Sequence, residues 1–119
     1  MKKLLLAAIL AALAPAANAG GQLIYACGNH AVVVYFNDRN QFTGADVDNR
    51  EFYNAPEIQR RVIRGQMVTM AIAGNARYSE SFSISTREDG ESNATLLTRG
   101  ANDKWPAKWH ETCRQPGRG

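Results

Sequence analysis

The chain has 119 residues, of which 14 are lysine or arginine and 11 are aspartate or glutamate, so its formal net charge is +3. Lys2 and Lys3 lie in a segment that we expect to be removed, and without them 12 cations face 11 anions, a net charge of +1. A chain this close to neutrality has no bulk electrostatic support for binding nucleic acid or anionic membranes. The remaining residues, 20–119, suffice for one small domain.

The N-terminal segment has the three parts of a secretory signal peptide. The two lysines precede an apolar run over residues 4–13, which is too short to span a bilayer, and Ala17-Asn18-Ala19 forms a small-residue cleavage site. We therefore predict a signal peptide over residues 1–19 and a mature chain from Gly20. No cysteine follows the cleavage site closely enough to be acylated, so we expect a soluble protein of a bacterial periplasm.

The sequence contains two cysteines, Cys27 and Cys113. In an oxidising compartment, two widely spaced cysteines predict one disulfide that closes most of the domain into a loop. The alternative is a pair of free thiols.

Short strand-type segments follow one another through most of residues 20–119. They are rich in β-branched and aromatic residues, with turn signals about every 8–12 residues. Pro106 indicates that the last of them is an edge or irregular strand. We expect these strands over residues 22–27, 31–36, 66–73, 78–85, 93–99 and within 104–113.

Residues 41–64 are harder to assign. Residues 41–56 alternate polar and apolar side chains and predict one or two short strands. Ala55-Pro56-Glu57 can begin a helical turn, and residues 58–64 fit a strand or a helical turn that leads into one. With the clearer strands, this pattern predicts an all-β fold, a small antiparallel β-barrel or sandwich of about seven to eight strands.

The most regular pattern runs from residue 66 to residue 85. In its second strand Tyr78, Phe82 and Ile84 alternate with serines, and Glu80 is the one charged residue on the apolar side. Gly followed by Asn suits a two-residue hairpin turn, because glycine tolerates positive φ. We predict a hairpin with a small polar tip at Gly74-Asn75, which is either an ordinary solvated face or a surface that enters another protein's cleft.

Catalytic and metal sites have little support. His30 and His110 have no further ligand at the spacing of a metal site, and a disulfide-bonded cysteine is not a nucleophile. Asp46, Asp48 and the acids of residues 88–91 are the residue type used in glycoside hydrolysis, but their turn-like surroundings favour solvated charge. We expect a binding protein rather than an enzyme, with no metal and no cofactor.

Four short motifs occur in a fixed order: Tyr25-x-Cys27, Ala-Gly-Asn-Ala-Arg-Tyr over residues 73–78, Gly-Glu-Ser-Asn-Ala-Thr-Leu over residues 90–96, and Cys113. In this order they resemble the MliC/PliC family, the bacterial inhibitors of C-type lysozyme, over about residues 23–113. The resemblance implies a small eight-stranded antiparallel barrel with a disulfide between its first and last segments.

The resemblance also implies a binding site. Family members place a Ser-Gly-x-x-Tyr type loop in the lysozyme cleft, and a second loop brings a lysine to the catalytic carboxylates. Here the motif matches in part: Ala73 stands at the serine position, one extra residue separates Gly74 from Tyr78, and Arg87 replaces the lysine. Arginine can still pair with a carboxylate bidentately, and Asn75 or Ser79 can replace the missing donor. The implied lysozyme-binding residues are Ala73, Gly74, Asn75, Arg77, Tyr78, Ser79 and Arg87.

These observations predict a periplasmic inhibitor that binds the active-site cleft of C-type lysozyme and protects the cell wall. We expect a monomer or weak dimer with no nucleic-acid partner and no membrane anchor. The alternative is a barrel of the same shape that binds another envelope protein or a small ligand.

Overall fold

The computed structural model describes residues 21–115, so the predicted signal peptide lies outside the described residues. Within them no helix has the length and apolar character needed to cross a bilayer. The described chain forms nine strands and a short 3-10 turn at Ala101–Asp103. The strands are β1 (Gln22–Cys27), β2 (His30–Phe36), β3 (Phe42–Val47), β4 (Arg50–Phe52), β5 (Asn54–Ile63), β6 (Gln66–Asn75), β7 (Glu80–Arg87), β8 (Ser92–Thr98) and β9 (Ala107–Arg114).

All nine strands belong to one antiparallel sheet, in the order β4-β3-β2-β1-β9-β8-β7-β6-β5. The sheet curls until β3 contacts β5 and β6, and β4 contacts β6, across the seam between its two edges. The result is a nearly closed barrel, which confirms the predicted all-β class. The strand count is one above the predicted range, because residues 41–63 contribute three strands.

The barrel interior is filled by the apolar side of each strand. Phe52, Phe82, Ile84, Val32 and Val34 are the large apolar side chains that are fully buried. β7 lies far from β2 and β4 in the sheet order, so the contact between Phe52 and Phe82, whose ring centroids are 6.0 Å apart, crosses the barrel. Burying a side chain of this kind stabilises the fold by about 1.5–3 kcal/mol.

A disulfide joins Cys27 of β1 to Cys113 of β9, as predicted. The two cysteines are directly opposite each other, and only one further residue pair, Ala26 with Arg114, connects these two strands. β1 pairs with β2 over six residues. Among the strand pairs of residues 21–115, the covalent bond therefore reinforces the one with the fewest paired residues.

Of two predictions about proline-containing segments, the first is wrong and the second holds in one of its two alternatives. Residues 55–57 form no helical turn; they lie in β5, where a register shift between Asn54 and Glu57 accommodates Pro56 on an edge strand. The last strand is irregular rather than at an edge, because β9 lies between β1 and β8 and its pairing with β8 has a register shift between Leu96 and Leu97. Pro106 precedes β9 and so removes no hydrogen bond from its ladder.

Replacing both cysteines, Cys27→Ala with Cys113→Ala, should lower the free energy of unfolding by about 4–5 kcal/mol. The reason is that the bond closes a loop between residues 86 positions apart and restricts the unfolded chain. Urea titration followed by tryptophan fluorescence measures the change. A reducing agent should destabilise the wild type and leave the double variant unaffected; equal urea midpoints for the oxidised wild type and the variant would contradict this.

Candidate functional site

The candidate site is the turn between β6 and β7, formed by residues 76–79 and called here the 76–79 turn. The predicted tip at Gly74-Asn75 is wrong: these residues pair with Ser81 and Glu80 and so extend the sheet by two rungs. Ser79 adopts a positive φ of 53° and donates its backbone N–H to the carbonyl of Ala76 at 3.3 Å, which closes the turn. All four residues of the turn are exposed.

Asn75 extends the strand because its side chain has two partners at the base of the turn. Its Nδ2 donates to the carbonyl of Glu51 at 2.6 Å, and its Oδ1 accepts the backbone N–H of Tyr78 at 3.2 Å. Asn54 adds a third bond, since its Oδ1 accepts the N–H of Ala76 at 2.9 Å. These bonds fix the backbone of the turn while leaving its side chains free to contact a partner.

Below the turn lies the buried carboxylate of Glu80, which is only 5% exposed. The Arg50 guanidinium on β4 donates from Nη2 to Glu80 Oε1, and Lys108 on β9 donates from Nζ to Oε2 at 3.3 Å. A buried carboxylate is tolerated when cations and hydrogen bonds compensate for its lost hydration. This Arg50-Glu80-Lys108 triad joins three strands at the end of the barrel that carries the turn.

Tyr78 connects the turn to this triad. The Arg50 guanidinium lies 4.1 Å from the centre of the Tyr78 ring, within the range of a cation-π contact, and that of Arg77 lies 5.8 Å from the same ring. The Arg50 guanidinium therefore pairs with the Glu80 carboxylate and also contacts the ring of Tyr78. Within residues 21–115, Arg77 makes no salt bridge, so its charge is available to an anionic group of a partner.

The structure brings together only some of the predicted lysozyme-binding residues. Arg77, Tyr78 and Ser79 share the exposed turn, whereas Ala73 is 1% exposed and points into the core. Asn75 is also buried, and Gly74 is half-buried in the ladder. Ala73, Gly74 and Asn75 thus support the turn from below, and the predicted face for Tyr78 is wrong because it lies in the turn and not in the strand.

Arg87 is distant from the other predicted residues. It ends β7 and Glu80 begins it, so seven steps of about 3.3 Å separate the two by roughly 23 Å. Its Nη2 donates to Asp89 Oδ2 at 2.8 Å and to Glu91 Oε1 at 2.7 Å. The hydrogen bond from Arg87 lowers the pKa of Asp89 below its usual range. Arg87 and the 76–79 turn cannot enter one narrow cleft together.

Two depressions flank the turn. A groove of about 680 Å³ lies on one side, where Ile72, Leu97 and the exposed ring of Trp105 form its apolar lining and Ser79 and Ser81 contribute hydroxyls. A depression of about 380 Å³ lies on the other side, lined in part by Arg50, Arg77 and Tyr78. The turn is therefore a ridge with concave surface on both sides.

The acidic residues weighed as catalytic pairs have structural partners. Asp46 lies in β3 and accepts hydroxyl hydrogen bonds from Tyr35 at 2.8 Å and Tyr53 at 2.9 Å. Burial of the Tyr53 hydroxyl and its hydrogen bond to Asp46 raise the pKa of Tyr53 to about 12. Asp48 accepts the backbone N–H of Ala31 and hydrogen-bonds His30 Nδ1 at 2.7 Å. Each of the four oxygens of these two carboxylates therefore has a hydrogen-bond partner.

The two histidines, His30 and His110, contact different residues. His30 stacks on Trp109 with ring centroids 3.9 Å apart, and His110 Nδ1 hydrogen-bonds Thr95 Oγ1 at 2.6 Å. Across residues 21–115, no group of three or more His, Cys, Asp and Glu side chains is placed to hold a metal ion.

Sequence reasoning missed the contributions of Arg50, Lys108 and Trp105. One signal was present: Glu80 stands on the apolar side of an otherwise regular strand, and a buried acid requires a cation. The identity of that cation depends on how the sheet curls, since residues 50, 80 and 108 are far apart in sequence. Only the folded barrel shows that two cations from different strands meet it.

The fold and the site define a class, the small disulfide-bonded β-barrels that present an exposed, braced turn at one end. Comparison of the chain with protein-family models, curated proteins and solved structures gives no match. The resemblance to lysozyme inhibitors therefore stays a prediction, and the function is argued from the geometry of the site.

Arg50→Ala should lower the free energy of unfolding by about 3 kcal/mol, because it leaves the buried carboxylate with the half-exposed Lys108 as its remaining cation. Lys108→Ala removes the same charge from a half-exposed position and should cost less than about 1 kcal/mol. Urea titration of both variants measures the difference. Equal losses in the two variants would show that the buried ion pair is not the main support of this end.

Proposed function

We propose that this protein inhibits C-type lysozyme by placing the 76–79 turn in the active-site cleft of the enzyme. The observation that carries the proposal is the state of Arg77: it is exposed, it makes no salt bridge within residues 21–115, and it stands on a turn with a fixed backbone. Lysozyme cleaves its glycan with two carboxylic acids that flank the scissile bond. A guanidinium can bind such a group through two parallel hydrogen bonds.

The proposal assigns the cationic role to Arg77 rather than to Arg87. Arg77 is adjacent to Tyr78, whereas Arg87 is engaged by Asp89 and Glu91 at the far end of β7. Tyr78 offers a large ring of low conformational entropy, a residue type that often dominates binding energy at protein interfaces. Ser79 contributes a hydroxyl on the same turn, where the resemblance requires one and Ala73 has none.

Rigidity of the turn favours binding of this kind. The hydrogen bonds of Asn54 and Asn75 fix its backbone before a partner arrives, so little conformational entropy is lost on association. A ridge flanked by two depressions is also a shape that a cleft can enclose.

Residues 20–119 should be retained on immobilised C-type lysozyme and should slow the lysis of bacterial cell walls. Arg77→Ala should weaken both effects by at least about tenfold, because it leaves an enzyme carboxylate without its partner. Arg87→Ala is the matched control, since it removes the same charge from a position outside the proposed contact, and it should change neither effect.

The proposal fails if the wild type is not retained and lysis proceeds at its full rate. It also fails if Arg87→Ala abolishes binding while Arg77→Ala has no effect. Urea midpoints of the variants show whether a loss comes from unfolding.

A second candidate function, binding of a small and largely apolar ligand, is favoured by the groove beside the turn. Its volume of about 680 Å³ lies in the range of small-molecule sites. Trp105, Ile72 and Leu97 provide apolar contact, and the serine hydroxyls at its margin provide a few polar contacts.

If the groove binds such ligands, an anilinonaphthalene sulfonate dye should bind the folded protein, and Trp105→Ala should weaken that binding by at least about tenfold. Tyr78→Ala is the control, because Tyr78 lines the opposite side of the turn. Dye fluorescence titration measures both. Equal affinities for the wild type and Trp105→Ala would remove the groove as a ligand site.

A further inference from the structure

The hairpin formed by the end of β5 and the start of β6 has an unusual composition. Its residues 58–67, called here the basic hairpin, contain three arginines and no aspartate or glutamate. Arg60, Arg61 and Arg64 are all exposed, and none makes a salt bridge within the described residues 21–115. Positive charge is therefore concentrated here in a protein whose mature chain is nearly neutral.

The same hairpin exposes large apolar side chains. Val62 is 67% exposed, Ile63 46% and Met67 41%. Val62 and Met67 are cross-strand partners on one face, while Ile63 pairs with Gln66 on the other. The last pair between β6 and β7 is Val68 with Arg87, so β7 does not pair with the hairpin beyond that point. Because exposed apolar side chains lie on both faces of the hairpin end, both faces are open to contact.

Acidic residues near the base of the hairpin are already engaged. Glu57 Oε2 accepts from Gln59 Nε2 at 3.0 Å, and Glu88 Oε1 accepts the backbone N–H of Met67. Asp89 and Glu91 bind Arg87. These contacts leave the three arginines of the hairpin without an internal counterion and favour an anionic partner.

A second copy of this chain fits the hairpin poorly. β5 is an edge strand, and edge strands can pair with each other, but charged side chains on an edge oppose this. Two antiparallel copies of residues 60–64 would bring arginines close to arginines, and like charges across a strand pair are destabilising.

We propose that the basic hairpin binds an anionic lipid surface at the level of its headgroups. The phosphates of such a surface complement the arginines, and the upper acyl chains accommodate Val62, Ile63 and Met67. Arg64 lies in the turn itself, so the hairpin rests in the interfacial layer and does not cross the bilayer. The contact is reversible and needs no anchor, and it is independent of the proposed inhibition of lysozyme.

Vesicle sedimentation tests the proposal with residues 20–119. The protein should sediment with vesicles that contain phosphatidylglycerol and remain in solution with vesicles of phosphatidylcholine alone. Each of Arg60→Gln, Arg61→Gln and Arg64→Gln should weaken binding by about fivefold, and raised salt should weaken it further. Val62→Ser with Ile63→Ser should reduce the binding that persists at raised salt.

Arg77→Gln is the matched control, since it removes one exposed, unpaired arginine from the other end of the barrel and should leave vesicle binding unchanged. The triple hairpin variant should still be retained on lysozyme, which separates the two proposals. Equal binding to both vesicle types, binding to neither, or an unchanged triple variant would overturn the inference. So would a stable dimer in the absence of vesicles, or binding to single-stranded DNA as tight as binding to phosphatidylglycerol vesicles.

Discussion

A buried carboxylate organises the end of the barrel that carries the candidate site. Glu80 would be costly in the interior without compensation, and it is compensated by Arg50 from one part of the chain and Lys108 from another. Arg50 belongs to β4, an edge strand that pairs with β3. Its bond to Glu80 therefore ties one edge of the sheet to β7, across the seam that backbone hydrogen bonds leave open.

The same interaction gives the turn its form. Because Arg50 is fixed by Glu80, its guanidinium provides a platform for the Tyr78 ring, and Asn75 links the base of the turn to the β4 carbonyl of Glu51. Side chains of the barrel wall thus stabilise the turn in addition to its own backbone hydrogen bond between Ser79 and Ala76. At the opposite end the basic hairpin offers exposed charge and apolar surface. We therefore propose different partners for the two ends, one with paired carboxylates and one with phosphates.

Much of the fold could be predicted from the sequence, because period-two patterns and turn residues are local. The strand over residues 22–27 is an example, and the partnership of Cys27 with Cys113 could be predicted because the sequence contains two cysteines. The turn position could not be predicted from Gly74 and Asn75 alone, since Asn75 is held in the ladder by Glu51, a residue far away in sequence. The resemblance implies a binding role for Arg87 as the substitute for a lysine on a second loop, whereas the extended strand β7 carries it to the other end of the barrel. The net charge of the chain likewise did not reveal the basic hairpin, because acidic residues elsewhere in the sequence balance its three arginines.

We propose that the 76–79 turn, braced by the Glu80 triad, is the surface that a lysozyme contacts. Chemical-shift mapping of the isotope-labelled protein during titration with C-type lysozyme tests it most directly. The account predicts that the backbone signals of residues 76–79 and the nearby Arg50 signals shift or broaden, while those of residues 87–91 remain in place. Shifts confined to residues 87–91, or no shifts at saturating enzyme, would contradict it.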